Sequence, residues 1–450
     1  MTLLAADATP ERSVAPVPPS RRVLGLWETF VLWADLGVSF LVMVVGMFLV
    51  PGLGLAEAIA AIVIGAVIGN ALLGLAAAIG AETGAPTMVL LRAVLGIRGS
   101  YLPTALNILQ LIGWASLEVI VMAQAAETVA TRFLGMPAAY PLWVAIFTAI
   151  TLAMALSGPI AVIKKYLARI AIWAVLASVL WITGALITSF DLGAALRAPG
   201  TGTLSFWLAV DLVVAMPISW FPLVADYSRF TRSHAAAFWG TSLGYFVPHV
   251  WFYLLGAMLV VSAGVVSDPA APIAPLLAGI AGLTAGWLAL LALLVGETDE
   301  AFANLYSTAV SVQNLFPRAN QRVLLLIGGG IVLLVALVVP LVQYESFLLL
   351  IGAAFIPLLG VLLADYFVLR GRHYQSDALF AERGPYWYQG GLNWAAIIVW
   401  GVGAASYLLI AGLPAAGVSG LAPWLGASLP SFLLAFGLYT IVGRLVPAKE

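Results

Sequence analysis

Gln110, Trp114 and Glu118 recur at four-residue intervals, which on a helix sets an amide, an indole and a carboxylate on one stripe. That trio suits a flat, polar heteroaromatic ligand: the ring stacks on Trp114 and its edge hydrogen-bonds to Glu118 or Gln110. The alternative is a core tryptophan and a carboxylate paired with a neighbouring helix. A second group is Glu297, Thr298, Asp299, Glu300 and Asn304. Oxygen-rich clusters are what hard cations prefer; the same acids could bind and release protons, or the segment could sit near a wet interface. A third group breaks the backbone. Trp33-Ala34-Asp35-Leu36-Gly37-Val38-Ser39 puts an acid, a glycine and a serine inside an apolar run, and Pro217 and Pro222 fall five residues apart in another.

The elements that carry these residues must lie in lipid. Of 450 residues, 63% are hydrophobic and 9% charged, against about a quarter charged in soluble domains; mean hydropathy is +1.08. A net charge of −1 gives no pull toward nucleic acid, and the absence of cysteine excludes disulfides, thiol nucleophiles and thiolate metal sites. A spanning helix needs about 20 apolar residues. Twelve segments qualify, at 27–50, 54–80, 101–133, 139–157, 167–189, 204–226, 240–265, 279–315, 322–340, 344–370, 392–412 and 424–445. They are too long, and too free of alternation, for strands.

Charge tests the count. With both termini inside, the inner segments hold Arg12, Arg21, Arg22, Arg92, Arg98, Lys164, Lys165, Arg169, Arg229, Arg232, Arg318, Arg322, Arg370, Arg372, Arg383, Arg444 and Lys449, and the outer ones only Arg132 and Arg197. A missed span would scramble that bias. The polar, Pro-rich stretch 1–22 lacks the short apolar core of a cleavable signal peptide and reads as a disordered cytoplasmic tail. A ten-helix core at 23–372, a cytoplasmic loop at 373–391 and two peripheral helices within 392–450 follow. No Gly-rich loop ending in Lys-Ser or Lys-Thr is present, which argues against ATP-driven transport.

Each proline removes a backbone donor, and unwound backbone at membrane depth is tolerated only where it lines a cavity or is buried in protein. Breaks in spans one and six, five apart, match two inverted five-helix repeats with discontinuous first helices; ordinary kinks are the alternative. Asp211 is expected to face the outer vestibule. Asp226 and Asp365 mark the inner ends of spans six and ten as caps or gate pairs, and His249 reads equally as a helix–helix contact or a proton relay. No role is assigned to Asp35, Glu297 or Glu300.

At these residues the chain resembles the nucleobase–cation symporter family. The resemblance covers about 20–445 and shows in Gly113-Trp114, in Ala225-Asp226-Tyr227-Ser228-Arg229-Phe230, and in Ile356-Pro357-Leu358-Leu359-Gly360 running into Ala364-Asp365-Tyr366. It implies an all-α, polytopic LeuT-type fold of two inverted repeats plus two extra helices. It implies that Trp114 stacks on substrate, that Glu118 stands where hydantoin transporters have Gln, and that Asn304 and Ser219 contact substrate. Backbone around Ala34 and Val38, with Thr298 and Asp299, would hold the coupling cation. Relatives tend to have Ser or Thr pairs there, so the added carboxylate leaves sodium and proton coupling both open. The detail is most similar to the hydroxymethylpyrimidine permease branch, which implies thiamine precursor salvage.

The expectation is a cation-coupled importer of a 4-aminopyrimidine, specifically hydroxymethylpyrimidine. It would be a monomer in the bacterial inner membrane, with no cofactor and no nucleic-acid partner. An ionised Glu118 suits a ligand presenting a ring N–H⁺ and an exocyclic amine, which a protonated aminopyrimidine offers and uracil or hydantoin does not. A cytosine, purine or allantoin permease of the same fold is the near alternative. A channel lacks support because no ring of repeated pore-lining residues is present. A membrane enzyme lacks it because three unclustered histidines and no nucleophile motif leave no catalytic constellation.

Overall fold

Apolar runs of this length can satisfy their backbone in lipid by forming helices, and a computed structural model of the chain shows them doing so. It describes residues 14–162, 172–264, 268, 271–339, 344–413 and 416–445. The helices, in chain order, are α1 (Leu26–Asp35), α2 (Phe40–Leu49), α3 (Leu55–Thr83), α4 (Thr87–Leu95), α5 (Tyr101–Leu134), α6 (Tyr140–Ser157), α7 (Pro159–Val162), α8 (Ile172–Ile187) and α9 (Leu192–Arg197). There follow α10 (Phe206–Ser219), α11 (Val224–Ser228), α12 (His234–Ala263), α13 (Ile273–Gly282), α14 (Gly286–Leu315), α15 (Gln321–Val338), α16 (Tyr344–Leu363), α17 (Trp394–Ala411) and α18 (Ser428–Val442). The one β-ribbon among the described residues pairs Gly412–Leu413 with Val418–Ser419.

Among the described residues, nine helical stretches are long and apolar enough to cross a membrane, and α1 with α2, bent by 63° at their break, make a tenth. The other two expected spans coincide with α8, 16 residues in its described part, and α14, 30 residues long but interrupted by acids. Among the described residues, length and apolarity alone therefore mark ten of the twelve expected crossings. Arg12, Lys164, Lys165, Arg169 and Lys449 lie outside the described residues.

Two groups of helices form the core. In one, α1 and α2 pack on α12, and α3 packs on α10 and α12; in the other, α14 packs on α5, with α6 and α15 beside them. Small residues set the approach within the first group. A Cβ on Gly256 would strike the carbonyl oxygen of Met43, and one on Gly46 that of Tyr253, so α2 and α12 touch backbone to backbone. Gly256→Ala is accordingly expected to destabilise the protein by about 1–3 kcal/mol through overpacking. Gly437→Ala on α18, where an added Cβ meets nothing within 4 Å, should leave the melting temperature unchanged or slightly raised. Thermal unfolding of the two purified variants checks the pair.

The amino-terminal stretch differs from its expectation. Residues 1–13 lie outside the described set, but from Val14 onward the segment read as a disordered tail is packed. Val14 and Val17 are buried, and the Val17 amide donates to Gly84 O at 2.8 Å. Arg22 donates to Ala81 O and to Glu82 O at 3.0 Å, covering carbonyls left open at the end of α3, and to Val17 O at 3.2 Å. Two apolar residues in a Pro-rich run were too sparse a pattern to announce this.

The loop at 373–391 also packs inward. Arg92 of α4 donates to Asn314 Oδ1 and Asn314 O, both at 2.8 Å, and to Leu379 O at 3.3 Å. Burial pushes its guanidinium down to about 10, so it remains charged at neutral pH and fits the carboxyl end of α14. Beyond the loop, α17 and α18 pack on each other and on α16. Asp211 of α10 does not face a vestibule: its carboxylate accepts from the amides of Ala427 and Ser428, the latter at 2.9 Å, and so caps α18.

Candidate functional site

The two breaks face helices of the second group, and side chains from those helices take up what the breaks leave open. Between α1 and α2, Ser39 caps α2 by accepting from Leu41 N at 3.1 Å. Glu297 reaches across from α14: its Oε1 accepts from Phe40 N and, at 3.2 Å, from the Ser39 hydroxyl. A carboxylate at a helix N-terminus is favourably placed against the exposed donors and the dipole. At the second break, α10 ends at Ser219, a single 3₁₀ turn spans Phe221–Leu223, and α11 resumes at Val224. Gln110 Nε2 donates to Ser219 O at 3.1 Å and to Asn107 Oδ1 at 2.8 Å, while Asn107 donates to Pro222 O at 3.3 Å. Gln110 thus holds the broken backbone and leaves only its buried Oε1 without a partner.

Between the breaks lies a small cavity lined by Trp114 and Glu118 of α5, Met216 and Ser219 of α10, Trp220, Tyr245 of α12, and Glu300 and Asn304 of α14. Four of the five expected substrate residues meet here, and Gln110 stands behind the wall. Asn304 Nδ2 donates to Glu118 Oε1 at 2.8 Å; Glu118 Oε2 and Trp114 Nε1 are buried with no protein partner. Edge-on contacts with Tyr344 and Phe347, at ring-centre distances of 5.9 and 5.2 Å, hold the Trp114 indole. Ser219 donates its hydroxyl to Met216 O at 2.6 Å, and Trp220 Nε1 donates to Tyr245 Oη at 2.9 Å. The cavity encloses about 10 Å³, roughly the room of one water. A six-membered ring must part these walls to enter.

Met216, Trp220, Tyr245 and Glu300 were missed as lining residues. The position of Trp220 between the two prolines was a signal for that residue, and the four-residue spacing of Glu300 and Asn304 was one for Glu300; no local pattern marks Met216 or Tyr245.

The expected cation residues converge less tightly. The break at Leu36–Ser39 runs beside Gly296, where an added Cβ would come within 3.1 Å of Val38 Cγ1, so Val38 faces the stretch of α14 that carries Thr298. Thr298 Oγ1 donates to Val295 O at 2.8 Å. Asp299 and Asp35 are both fully buried, both oxygens of each lack a hydrogen-bond partner, and the two carboxyls lie within electrostatic reach of each other. Orphaned carboxylate oxygens are the donor type that a hard cation takes. Among the described residues, however, no three His, Cys, Asp or Glu side chains gather as a metal cage. His249 is buried between Tyr245 and Tyr253, at ring-centre distances of 4.8 and 4.6 Å, with neither ring nitrogen partnered.

Residues 16–425 match the family model described as permease for cytosine/purines, uracil, thiamine, allantoin. The hydantoin permease of Microbacterium maritypicum is 26% identical over 87% of this chain and 83% of its own. The cytosine permease of Escherichia coli (strain K12) is 26% identical over 88% of each. Among solved structures, that of Mhp1, a nucleobase-cation-symport-1 family transporter in a closed conformation with bromovinylhydantoin bound, superposes with a TM-score of 0.81, covering 96% of this chain and 95% of that one at 23% identity. At that identity the likeness shows the fold, an all-α membrane fold of the LeuT type.

Proposed function

Because the chain belongs to the family of permeases for cytosine/purines, uracil, thiamine and allantoin, and is therefore a transporter and not an enzyme, we propose that it imports a 4-aminopyrimidine, hydroxymethylpyrimidine in particular. The import is coupled to sodium, with the proton as the alternative ion. One observation carries this reading. The cavity sets an unpartnered carboxylate oxygen of Glu118 beside the Trp114 indole, and among the described residues no basic side chain lines it. Such a wall accepts N–H donors and compensates positive charge.

In the mechanism, the cation settles between the first break and Thr298–Asp299 and favours the open form. The substrate ring then stacks on Trp114, offers its ring N–H⁺ and exocyclic amine to Glu118, and meets Asn304 and Ser219. Closure of the two helix groups around it excludes water, and rocking of one group on the other releases it into the cytoplasm. This last step is carried over from the fold. Both termini lie in the cytoplasm of a bacterial inner-membrane protein that works as a monomer.

The test is a thermal-shift screen of the purified protein against hydroxymethylpyrimidine, thiamine, cytosine, uracil, adenine and allantoin, with and without sodium. A ligand that binds only the native state raises the melting temperature by mass action. A shift with hydroxymethylpyrimidine, larger in sodium, is expected. A shift with another ring alone transfers the site to a cytosine, purine or allantoin permease. Trp114→Ala should weaken whichever ligand binds by about 1–3 kcal/mol, the worth of one aromatic–base stack; a wild-type dissociation constant in that variant overturns the placement of the pocket.

A further inference from the structure

Glu300 sits four residues before Asn304, on the same face of α14, and lines the same cavity. It is 4% exposed, and Glu118 is 1% exposed. The two carboxyls act directly on each other. Apart from Trp114, the rest of the wall is Met216, Ser219, Trp220, Tyr245 and Asn304, none of which carries positive charge. Glu297, one turn earlier on the same helix, shows what a structural acid does here: it caps α2 through Phe40 N. Among the described residues Glu300 receives no backbone amide, and the non-acidic side chains within its electrostatic reach are Ser39, Tyr245 and Tyr344, none of them basic. Beside it, Glu118 Oε2 and Trp114 Nε1 are buried without partners on the wall of the same cavity.

We propose that Glu300 is a specificity-determining residue, the second arm of an acceptor-only clamp for a positively charged heteroaromatic ring. Glu118 takes the edge formed by the ring N–H⁺ and the exocyclic amine, and Glu300 takes a further N–H or O–H donor on the same ring. Two buried carboxyls with no basic partner favour a ligand that brings the missing charge. A ring whose N–H groups alternate with carbonyls turns acceptors toward acceptors and is disfavoured. The inference rests on the reading of this cavity as the substrate site, but it does not require the particular aminopyrimidine proposed above.

The experiment is equilibrium binding to the purified full-length protein in lipid nanodiscs, wild type and Glu300→Gln, with four probes. These are 4-amino-5-hydroxymethyl-2-methylpyrimidine, its 2,5-dimethyl analogue without the hydroxyl, cytosine and uracil. The wild type should bind amino-substituted rings more tightly than uracil. Glu300→Gln should weaken those rings by about tenfold or more, the loss of a charge-assisted hydrogen bond, leave uracil within about twofold, and narrow the gap between the hydroxymethyl and methyl analogues. An equal loss for every ring marks a structural role and overturns the clamp, as does no loss at all. Should Glu300→Gln fail to fold, the wild-type ranking decides: uracil bound more tightly than the aminated rings, or no aminated ring bound, overturns it. If cytosine binds and responds to Glu300→Gln while the hydroxymethyl compound does not bind, the clamp stands and the proposed substrate falls. If the hydroxymethyl compound binds both proteins equally, the substrate stands and the clamp falls.

Discussion

Glu118→Gln is expected to weaken binding of a protonated aminopyrimidine by about 1.5–3 kcal/mol, roughly 10- to 150-fold, through loss of a charge-assisted hydrogen bond. The substitution keeps the shape of the side chain. Glutamine Oε1 can still accept from Asn304 Nδ2, which lies 2.8 Å from Glu118 Oε1, so the helix contact survives. What changes is the other oxygen, buried without a protein partner. In the variant it becomes an NH₂ group, which meets the N–H⁺ and amine of the ligand donor to donor. The variant should bind neutral rings with carbonyl edges, uracil or hydantoin, at least as well as the wild type does, because an NH₂ group donates to a carbonyl. Isothermal titration calorimetry on the purified protein measures both. Unchanged affinity for the aminopyrimidine removes Glu118 from the site. An equal loss for uracil turns its role into one of packing.

The parts of this fold that announce themselves in sequence are those set by local composition. Apolar runs marked the spans, and the prolines at 217 and 222 marked the interruption after Ser219, because a missing amide is a local property. The stripe of Trp114 and Glu118 was legible for the same reason: helical spacing alone puts them on one face. What stayed hidden are partners far apart in the chain. Glu297 caps a helix that begins at Phe40, Asp211 caps one that begins at Ser428, and Tyr245 reaches the cavity through a hydrogen bond from Trp220. A buried acid looks the same in sequence whether it caps a helix or faces a ligand; only the donor beside it tells them apart.

That distinction also sorts the acids of the interior. Glu297 and Asp211 each receive backbone amides, so their charge is met by the fold. Glu118 and Glu300 line the cavity, and Asp35 and Asp299 have no protein donor. An acid costly to keep at membrane depth and unmet by the protein is the kind that a transported cation or a charged substrate engages. The two unmet groups lie on α1, α5 and α14, against the first break on one side and the second on the other. On the function proposed above, this arrangement would let one closure respond to both ligands.

At the far end of the second break, Arg229→Met is expected to destabilise the protein by about 3–5 kcal/mol, the cost of leaving a buried charge without its partner. Arg229 is fully buried. Its guanidinium donates to Asp226 O at 3.2 Å and to Tyr306 Oη at 3.1 Å, lies 4.9 Å from the Phe230 ring centre, and interacts with the Asp226 carboxylate. Asp226 Oδ1 accepts from Thr87 N at 3.1 Å, and Thr87 Oγ1 accepts from Ala225 N at 2.9 Å, so one clasp ties α11 to α4 and α14. Methionine keeps most of the volume and removes the charge, which leaves the Asp226 carboxylate uncompensated. Adding Asp226→Asn should recover more than half of the loss, because the stranded charge is then gone, so the double variant should cost less than the sum of Asp226→Asn and Arg229→Met taken singly. Thermal unfolding of the three variants in one detergent gives the cycle. A double variant no more stable than Arg229→Met alone would mean that hydrogen bonds to Thr87 hold the clasp and that Arg229 acts through Tyr306 and Phe230.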